Sequence, residues 1–502
     1  MDVQVFPISD LPVELLQHIF SFLPLSDRKS ASLVCHLWEE VAFGVRLMRN
    51  VALEIRVWCN LQLTYLRRSS RRYRNVFVHL DPVNRRESHI KFVLEVLDLL
   101  GAHLESFQCL AVLRVEQLLH IVIRLPNLQH LVVGLDASTL TRQKLDFPAM
   151  KKLRFLGSLT NVLQIKSLNV PKLTDINVVF TSSVEGRESI PILQRLASQL
   201  KKVELFSVGY FTPIEELRFP NAELLNIGGR FCEAGSESAL RAFFSGFSVL
   251  KDVKLDFAVS ELVLDLITKA CPGIESLHLK IRQFGPDSFR WMERLKCLKT
   301  LSMGGIDDTL SNINCKPLVS VKRLSLEMSG CSPNFMKGLR LLLPNVTTMT
   351  VTLTGANVGW WLELICLNFR QLRQLTISDE IDRDRMLASS LLSVGQLEQL
   401  EELTFKNVRT RVVFMPANPR LRRLVIDHPH WLNNGDLLEL AKRYPNLKYL
   451  ELGSGREVTD AGIKKLRSLL KDCVVHCPPS CMNWGNVLTV YRDVFEIPLH
   501  IL

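Results

Sequence analysis

One short apolar pattern recurs along this chain at intervals of about two dozen residues. It has the form apolar-x-x-apolar-x-apolar, and fourteen copies start between Leu128 and Leu447, 21 to 28 residues apart. Alternating apolar residues give a short strand one buried side. Repetition at this period is typical of solenoid proteins, in which each unit completes its core only against its neighbours. The pattern therefore predicts a stack of short units rather than several unrelated domains.

The segments between the copies are predicted to form the return path of each unit. Four of them have apolar residues at helical spacing: residues 260–271, 287–297, 433–445 and 459–470. Asp287 and Thr459 are suited to accept hydrogen bonds from the free N–H groups that open two of these helices. Because parallel strands need such crossover connections, the pattern predicts a parallel α/β solenoid.

Several units resemble leucine-rich repeats of the cysteine-containing subtype. The best examples are CPGIESLHL (271–279), YPNLKYLEL (444–452) and VTDAGIKKL (458–466). The resemblance covers roughly residues 48–470 and implies a curved solenoid, or horseshoe, with parallel strands on its concave face. Residues 471–502 break the pattern and are predicted to form a C-terminal cap, because the ends of a stack need covering.

Two apolar stripes at helical spacing precede the repeats. The first lies between Pro12 and Pro24 and runs from Leu15 to Leu23. The second belongs to a single helix predicted over residues 27–43, with Asp27 as its cap. Two short helices cannot form an independent core, so these stripes are expected to need an outside surface.

The sequence ISDLPVELLQHIFSFLPLSDRKSASLVCHLWEEVAF, residues 8–43, resembles an F-box. In that family the segment packs against a Skp-type adaptor, which holds it on a cullin–RING ubiquitin ligase. The resemblance implies a short all-helical F-box over residues 8–47; a simple cap on the first repeat is the alternative. The residues implied to bind the adaptor or to set the helices are Leu11, Pro12, Leu15, Ile19, Phe20, Leu23, Val34 and Trp38.

Basic residues recur at the positions that follow the first apolar residue of many copies. The chain carries a formal net charge of +11, although residues 1–50 hold six acids and four bases. In the resembling family these positions form the concave surface, so a column of bases would attract an acidic or phosphorylated protein segment. Ordinary surface polarity is the competing interpretation. The candidate substrate-binding residues are Lys201, Lys202, Lys322, Arg323, Arg373, Arg422, Arg423 and Tyr449, and the copy MKKLRF from Met150 also places Lys151 and Lys152 outward.

No catalytic or cofactor pattern emerges from the sequence. It lacks the phosphate-binding loop G-x-x-x-x-G-K-[ST], the elbow G-x-S-x-G and the zinc motif H-E-x-x-H. CVVHCPPSC contains the possible metal ligands Cys473, His476, Cys477 and Cys481, but no C-x-x-C pair. Ordinary cysteines are the favoured interpretation, and no metal or other cofactor is predicted.

Three further features leave alternatives open. RRSSRRYR (67–74) fits a nuclear signal, a nucleic-acid patch, a phosphorylation site at Ser69 or Ser70, or a solvated loop, which is favoured. Tyr73 is the only aromatic in the run, so sequence-specific binding of nucleic acid is not supported. The histidines of HPHW (428–431) are interpreted as loop residues, and one indole of GWW (359–361) is expected to be buried.

The sequence as a whole predicts a non-catalytic substrate-recognition subunit of a Skp–cullin–F-box (SCF) ubiquitin ligase. The F-box would bind the adaptor, and the repeats would bind a protein substrate. A cytoplasmic or nuclear location is expected, since neither a secretory signal nor an apolar run of 18 residues is visible. The alternative is a ligase-independent repeat scaffold or a nucleic-acid-associated adaptor.

Overall fold

The computed structural model describes the chain in segments that fall into two compact units. These units lie within residues 1–211 and 212–483 and are called here the N-terminal and C-terminal units. The described residues are 8, 11–49, 51–56, 63–69, 71–79, 87–135, 148–158, 168–180, 183–208, 214–230, 237–281, 288–306, 315–328, 333–353, 358–379, 391–406, 415–427, 432–453 and 458–476.

Thirteen α-helices occur in the described part of the chain. They are α1 (Val13–Ser21), α2 (Leu25–Ala31), α3 (His36–Ala42), α4 (Leu63–Arg68), α5 (Glu87–Leu100), α6 (Val115–Ile123), α7 (Ser183–Leu196), α8 (Glu237–Phe244), α9 (Glu261–Ala270), α10 (Pro333–Leu342), α11 (Val358–Asn368), α12 (Asn434–Arg443) and α13 (Asp460–Leu469). Within these described segments, no helix combines the length and the apolar character needed to cross a bilayer.

Eighteen short strands alternate with the helical or irregular returns in the same segments. They are β1 (Ala52–Arg56), β2 (Asn75–His79), β3 (Ser106–Leu113), β4 (His130–Leu135), β5 (Phe155–Ser158), β6 (Asp175–Phe180), β7 (Lys202–Ser207), β8 (Leu224–Gly229), β9 (Asp252–Val259), β10 (Ser276–Ile281), β11 (Thr300–Ile306), β12 (Arg323–Met328), β13 (Thr348–Leu353), β14 (Gln374–Asp379), β15 (Glu402–Lys406), β16 (Arg423–Ile426), β17 (Tyr449–Leu452) and β18 (Val474–His476).

The strands of each unit pair in parallel and in chain order. In the N-terminal unit, β1 to β7 form a continuous ladder. In the C-terminal unit, β8 to β18 form another. The register sets equivalent positions of successive repeats side by side, as where Leu277 faces Leu301. The predicted parallel α/β solenoid is therefore confirmed within each unit.

The core of each repeat comes from the apolar positions of the six-residue pattern and from the return. Leu250, Val253 and Leu255 of one copy are at most 2% exposed. On the return, α9 buries Val263, Leu264 and Ile267 at helical spacing. The ladder extends beyond residue 470, because β18 pairs with β17.

One predicted copy lies three residues away from its true place. His130 of β4 pairs with Phe155 and Leu131 with Leu156, so the repeat is LRFLGS from Leu153 rather than MKKLRF from Met150. Both stretches begin with apolar residues three apart, which is why the pattern alone chose wrongly. Lys151 and Lys152 consequently precede the strand and lie outside its exposed face.

Three of the four predicted helical returns are α-helices, and the fourth is different. Ser288–Arg294 is a 3-10 helix, and Asp287 lies outside the described residues. The buried side chains Phe289, Met292 and Leu295 are spaced by three, which is the period of a 3-10 helix. The predicted cap at Thr459 is confirmed, since its hydroxyl accepts a hydrogen bond from the Gly462 N–H at 3.2 Å.

Candidate functional site: an N-terminal apolar face and the strand face of the repeats

The residue immediately before each strand is called here the lead residue, and four of the candidate bases occupy this position: Lys201, Lys322, Arg373 and Arg422. In the C-terminal unit, acids occupy the same position in other repeats. Lys251 Nζ lies 2.9 Å from Glu223 Oε2, and Lys299 Nζ lies 2.6 Å from Glu275 Oε2. Each of these contacts joins the lead residues of adjacent repeats. Bases and acids therefore alternate over four successive repeats, and much of the expected positive lane is neutralised.

Among the candidate substrate residues, Arg373 belongs to the same kind of pair. Its guanidinium lies 3.9 Å from the carboxylate of Glu401, the lead residue of the next repeat. Both groups are largely exposed, so salt screens their attraction. Lys201 and Lys202 are exposed at the end of the N-terminal unit and have no ion-pair partner among the described residues.

Arg423 and Tyr449 form a small cluster on β16 and β17. The Arg423 guanidinium lies 4.0 Å from the centre of the Tyr449 ring and 3.8 Å from Glu451. The Tyr449 hydroxyl donates a 2.8 Å hydrogen bond to Glu451. Partial burial and this hydrogen bond raise the pKa of Tyr449. These groups satisfy one another, so a ligand here would have to replace existing contacts.

In the C-terminal unit, Lys322, Arg323 and Arg422 are the candidate bases without an acidic partner in the described segments. Lys322 and Arg323 are exposed neighbours at the start of β12. The Arg323 Nε donates a 3.0 Å hydrogen bond to the Thr300 hydroxyl on β11. The unpaired positive charge of the candidate residues in this unit consequently lies at β12, with Arg422 as a second, separate base.

The first helix of the N-terminal segment has two apolar sides. Leu16 and Phe20 are at most 1% exposed, whereas Leu15 is half exposed and Ile19 and Phe22 are also exposed. Positions 15, 19 and 22 lie on one side of a helix because they follow the i, i+4, i+7 spacing. The stripe seen in the sequence is thus divided between the interior and the surface.

The predicted second helix is in fact two helices. α2 ends at Ala31, and α3 begins at His36 after Cys35, whose backbone is extended (φ −162°, ψ 167°). The prediction of a single helix over residues 27–43 is therefore wrong, and Pro24 rather than Asp27 precedes α2. The link exposes Leu33 (86%) and Val34 (63%), so the break turns two apolar side chains toward solvent.

Trp38 holds the first and third helices together. Its ring contacts Phe20 edge to face, with centroids 5.3 Å apart and an interplanar angle of 81°. Such contacts add to the stabilisation from buried area. Phe20 therefore lies in the interior, and its side chain is not part of an exposed binding surface as the sequence had suggested.

The other side of the segment packs toward the first repeat. Phe43, Met48 and Val51 are buried. The Arg71 guanidinium lies 3.8 Å from the centre of the Phe43 ring, and Arg28 Nη1 donates a 2.9 Å hydrogen bond to the Leu47 carbonyl. The segment is thus seated on the repeats through one side, and its remaining apolar residues stay exposed.

We call these exposed residues the N-terminal apolar face and define it as Leu15, Ile19, Phe22, Leu33 and Val34. Of the other residues implied to bind an adaptor, Pro12 is exposed, and Leu11, Leu23 and Trp38 are partly buried. The sequence patterns passed over Phe22 and Leu33. The proline-bounded length of α1 and the i, i+4, i+7 spacing from Leu15 would have identified Phe22.

A family model described as F-box-like matches residues 8–54. The N-terminal segment is F-box-like. The match includes all three helices and ends within β1, so the F-box-like segment and the first repeat adjoin directly. The predicted order of a short helical F-box-like segment followed by a parallel α/β solenoid is confirmed.

Solved structures similar to this chain are repeat proteins of low sequence identity. The complex of Rad7 and Elc1 from yeast has 13% identity, a TM-score of 0.35, and covers 75% of this chain and 83% of that one. The leucine-rich repeat-containing protein LegL7 from Legionella pneumophila has 10% identity, a TM-score of 0.25, and coverages of 84% and 99%. The mouse RP105/MD-1 complex has 16% identity, a TM-score of 0.30, and coverages of 72% and 64%.

Structural similarity with TM-scores of 0.25 to 0.35 does not indicate the partners or the activity of this chain. No curated protein matches the chain by sequence.

Downstream of the F-box-like segment, the arginine run borders a cleft in the N-terminal unit. Arg72 and Arg74 line this cleft of about 230 Å³ with Lys152 and Glu105, and Arg74 lies 3.0 Å from Glu105. The Ser69 hydroxyl accepts a 3.2 Å hydrogen bond from the Arg71 N–H, whereas Ser70 lies outside the described residues.

The remaining candidate features are partly outside the described residues. HPHW (428–431), Cys477 and Cys481 fall there. Within the described segments, no three His, Cys, Asp or Glu side chains are grouped to hold a metal. Trp361 is buried and Trp360 is 42% exposed, as expected for one indole between repeats and one at the surface.

Proposed function

We propose that this chain is a non-catalytic substrate receptor of an SCF-type ubiquitin ligase. The F-box-like segment would bind a Skp-type adaptor, which in turn binds the cullin–RING scaffold, and the strand face of the repeats would bind a protein substrate. The receptor would act by holding substrate close to a ubiquitin-loaded enzyme, so its contribution to the reaction is proximity.

The N-terminal apolar face is the observation that carries this proposal. Leu15, Ile19 and Phe22 form one exposed side of α1, while Leu16 and Phe20 complete the interior. Burying a Leu or Phe side chain contributes about 1.5–3 kcal/mol, so a partner covering this face would gain a substantial free energy. The location of the face within the F-box-like match favours a Skp-type adaptor as that partner.

The test is capture of the adaptor and cullin from cells by tagged full-length chain. Wild-type protein is expected to retain both partners. The double variant Leu15→Asp/Phe22→Asp places two charges on the apolar face and is expected to lose both. Its thermal unfolding should stay unchanged, because these side chains are exposed in the chain alone.

The control is Leu341→Asp in α10 of the C-terminal unit. Leu341 is 73% exposed and Phe22 is 72% exposed, so the two changes are matched in exposure. The control is expected to retain both partners. Failure of the wild-type chain to capture adaptor and cullin would contradict the receptor function and favour a ligase-independent repeat scaffold.

A further inference from the structure

Four hydroxyl side chains lie side by side on the strand face of the C-terminal unit. The strand register aligns them across β12 to β15, and we call them the hydroxyl row: Ser325, Thr350, Thr376 and Thr404. Neighbouring strands are about 4.8 Å apart, so the row spans about 14 Å. All four side chains are partly exposed, and none has a hydrogen-bond partner among the described residues.

Two unpaired bases adjoin one end of this row. Arg323 lies two residues before Ser325 on β12, and side chains two residues apart on a strand share a face. Arg323 uses its Nε on Thr300, and its terminal nitrogens have no partner in the described segments. Lys322, the lead residue of β12, is exposed and likewise unpaired there.

The surroundings favour a small anion over a long acidic segment. The lead residues Glu223, Glu275 and Glu401 would repel an acidic segment that ran along the column of bases, and each is near a base already. Glu327, two residues after Ser325 on the same face of β12, adds negative charge beyond the row. The adjacent bases Lys322 and Arg323 therefore place positive charge at the β12 end of the hydroxyl row, and Arg422 is the other candidate base of this unit without an acidic partner in the described segments.

We propose that this place binds one phosphoserine or phosphothreonine of the protein substrate. A phosphate monoester carries about two negative charges and three acceptor oxygens. The free guanidinium nitrogens of Arg323 can donate to two of these oxygens together, while the ammonium of Lys322 and the neighbouring hydroxyls donate to the rest. A carboxylate has one charge and fewer acceptor sites, so it satisfies this set of donors less completely.

The identification of the phosphorylated ligand as a substrate rests on the proposed receptor function, whereas the binding site itself does not. The experiment uses full-length chain and immobilised peptide pools with a central phosphoserine or phosphothreonine and randomised flanks. Matched pools carry Glu or unmodified Ser and Thr at the centre. The phosphorylated pools are expected to bind, and inorganic phosphate should compete only weakly because it lacks the peptide contacts.

The variant Lys322→Ala/Arg323→Ala is expected to bind the phosphorylated pools at least about tenfold more weakly, as removal of charge-assisted hydrogen bonds implies. Thr350→Val/Thr376→Val should weaken binding less, since it removes neutral donors. Lys251→Ala is the matched control, because Lys251 is also an exposed lead residue but is paired with Glu223. It should bind as the wild type does.

Equal binding of the Glu and phosphorylated pools, or full binding by Lys322→Ala/Arg323→Ala, would overturn the proposal. Adaptor capture is measured on the same preparations. Adaptor capture without phosphopeptide binding would refute this site and leave the receptor function standing. Phosphopeptide binding without adaptor capture would support the site and contradict the receptor function.

Discussion

Phe20 and Trp38 hold α1 against α3 by an edge-to-face contact with ring centroids 5.3 Å apart. Ile19, the neighbour of Phe20 in sequence, lies about 100° away around the helix axis and is exposed with Phe22. One nine-residue helix therefore serves two purposes with two sets of side chains. Its inner set determines whether the segment is folded, and its outer set is free to contact a partner.

Replacing Phe20 by Ala is expected to open the N-terminal helices. Loss of a fully buried Phe costs about 3–5 kcal/mol in a well-packed core, and this small segment has few other buried side chains to compensate. Hydrogen exchange of peptides covering residues 13–42 should become much faster. Phe22→Ala is the control and should leave exchange unchanged; equal exchange in both variants would contradict the division of α1 into two sides.

Adaptor binding is expected to protect one cysteine from a maleimide reagent. Cys35 and Cys297 are both exposed, and Cys35 adjoins Val34 of the N-terminal apolar face. Both should react in the free chain, whereas only Cys35 should be shielded in the complex. Cys366 should stay unmodified in either state, because burial raises the pKa of its thiol to about 12. Equal reactivity of Cys35 with and without adaptor would count against the proposed interface.

His278 on β10 is expected to make stability fall between pH 6.5 and pH 4. Burial, reinforced by the nearby Lys254, lowers the pKa of His278 to about 4, and its Nδ1 lies 2.6 Å from the Ser302 hydroxyl. The unfolded chain, with a pKa near 6.5, binds the proton more readily throughout this range, so acid favours unfolding.

The measurement is the urea midpoint of wild type and His278→Gln at pH 7 and pH 5. Wild type should lose about 1–2 kcal/mol more stability than the variant between these two values. Identical losses would show that His278 does not remain neutral in the folded chain.

The start of α12 offers a test of local helix stability. The Asn433 side chain accepts a 3.0 Å hydrogen bond from the Asp436 N–H, and Asp436 accepts one of 3.1 Å from the Asn433 N–H. Asn433→Ala removes half of this reciprocal arrangement and is expected to cost about 1 kcal/mol. Differential scanning calorimetry should show a lower melting temperature, and Asn433→Asp, which keeps an acceptor, should restore most of it.

The repeat period alone was enough to predict the parallel ladder, because alternation and spacing are properties of the sequence. It favoured Met150 over Leu153 as the start of a copy, because MKKLRF has apolar residues at all three template positions whereas LRFLGS has Ser158 at the last one. Only the pairing of His130 with Phe155 in the structure identifies Leu153 as the start of the repeat. Helical periodicity likewise missed the break before Cys35, although Ser30, Ser32 and β-branched Val34 are weak helix formers.

The predicted basic face was incomplete for a different reason. The bases were collected from the aligned copies without the acids at the same position, namely Glu223, Glu275 and Glu401. These acids are visible in the sequence, but only the distances in the structure show that they lie beside the bases of neighbouring repeats. The spacing from Leu15 groups Ile19 and Phe22 on one side of α1, but whether that side stays exposed depends on how α1 packs against α3, which the sequence alone does not show.

The alternation of Glu223, Lys251, Glu275 and Lys299 has a period of two repeats, twice that of the fold. Deleting one repeat here, such as residues 250–273, would place Glu223 beside Glu275, whereas deleting two would bring Glu223 to Lys299. Loss or duplication of an odd number of repeats in this stretch should therefore place like charges side by side, at a cost of up to about 1 kcal/mol for each exposed ion pair that is lost. The charges in this part of the solenoid thus distinguish an odd from an even number of repeats, whereas the backbone, which repeats with every unit, does not.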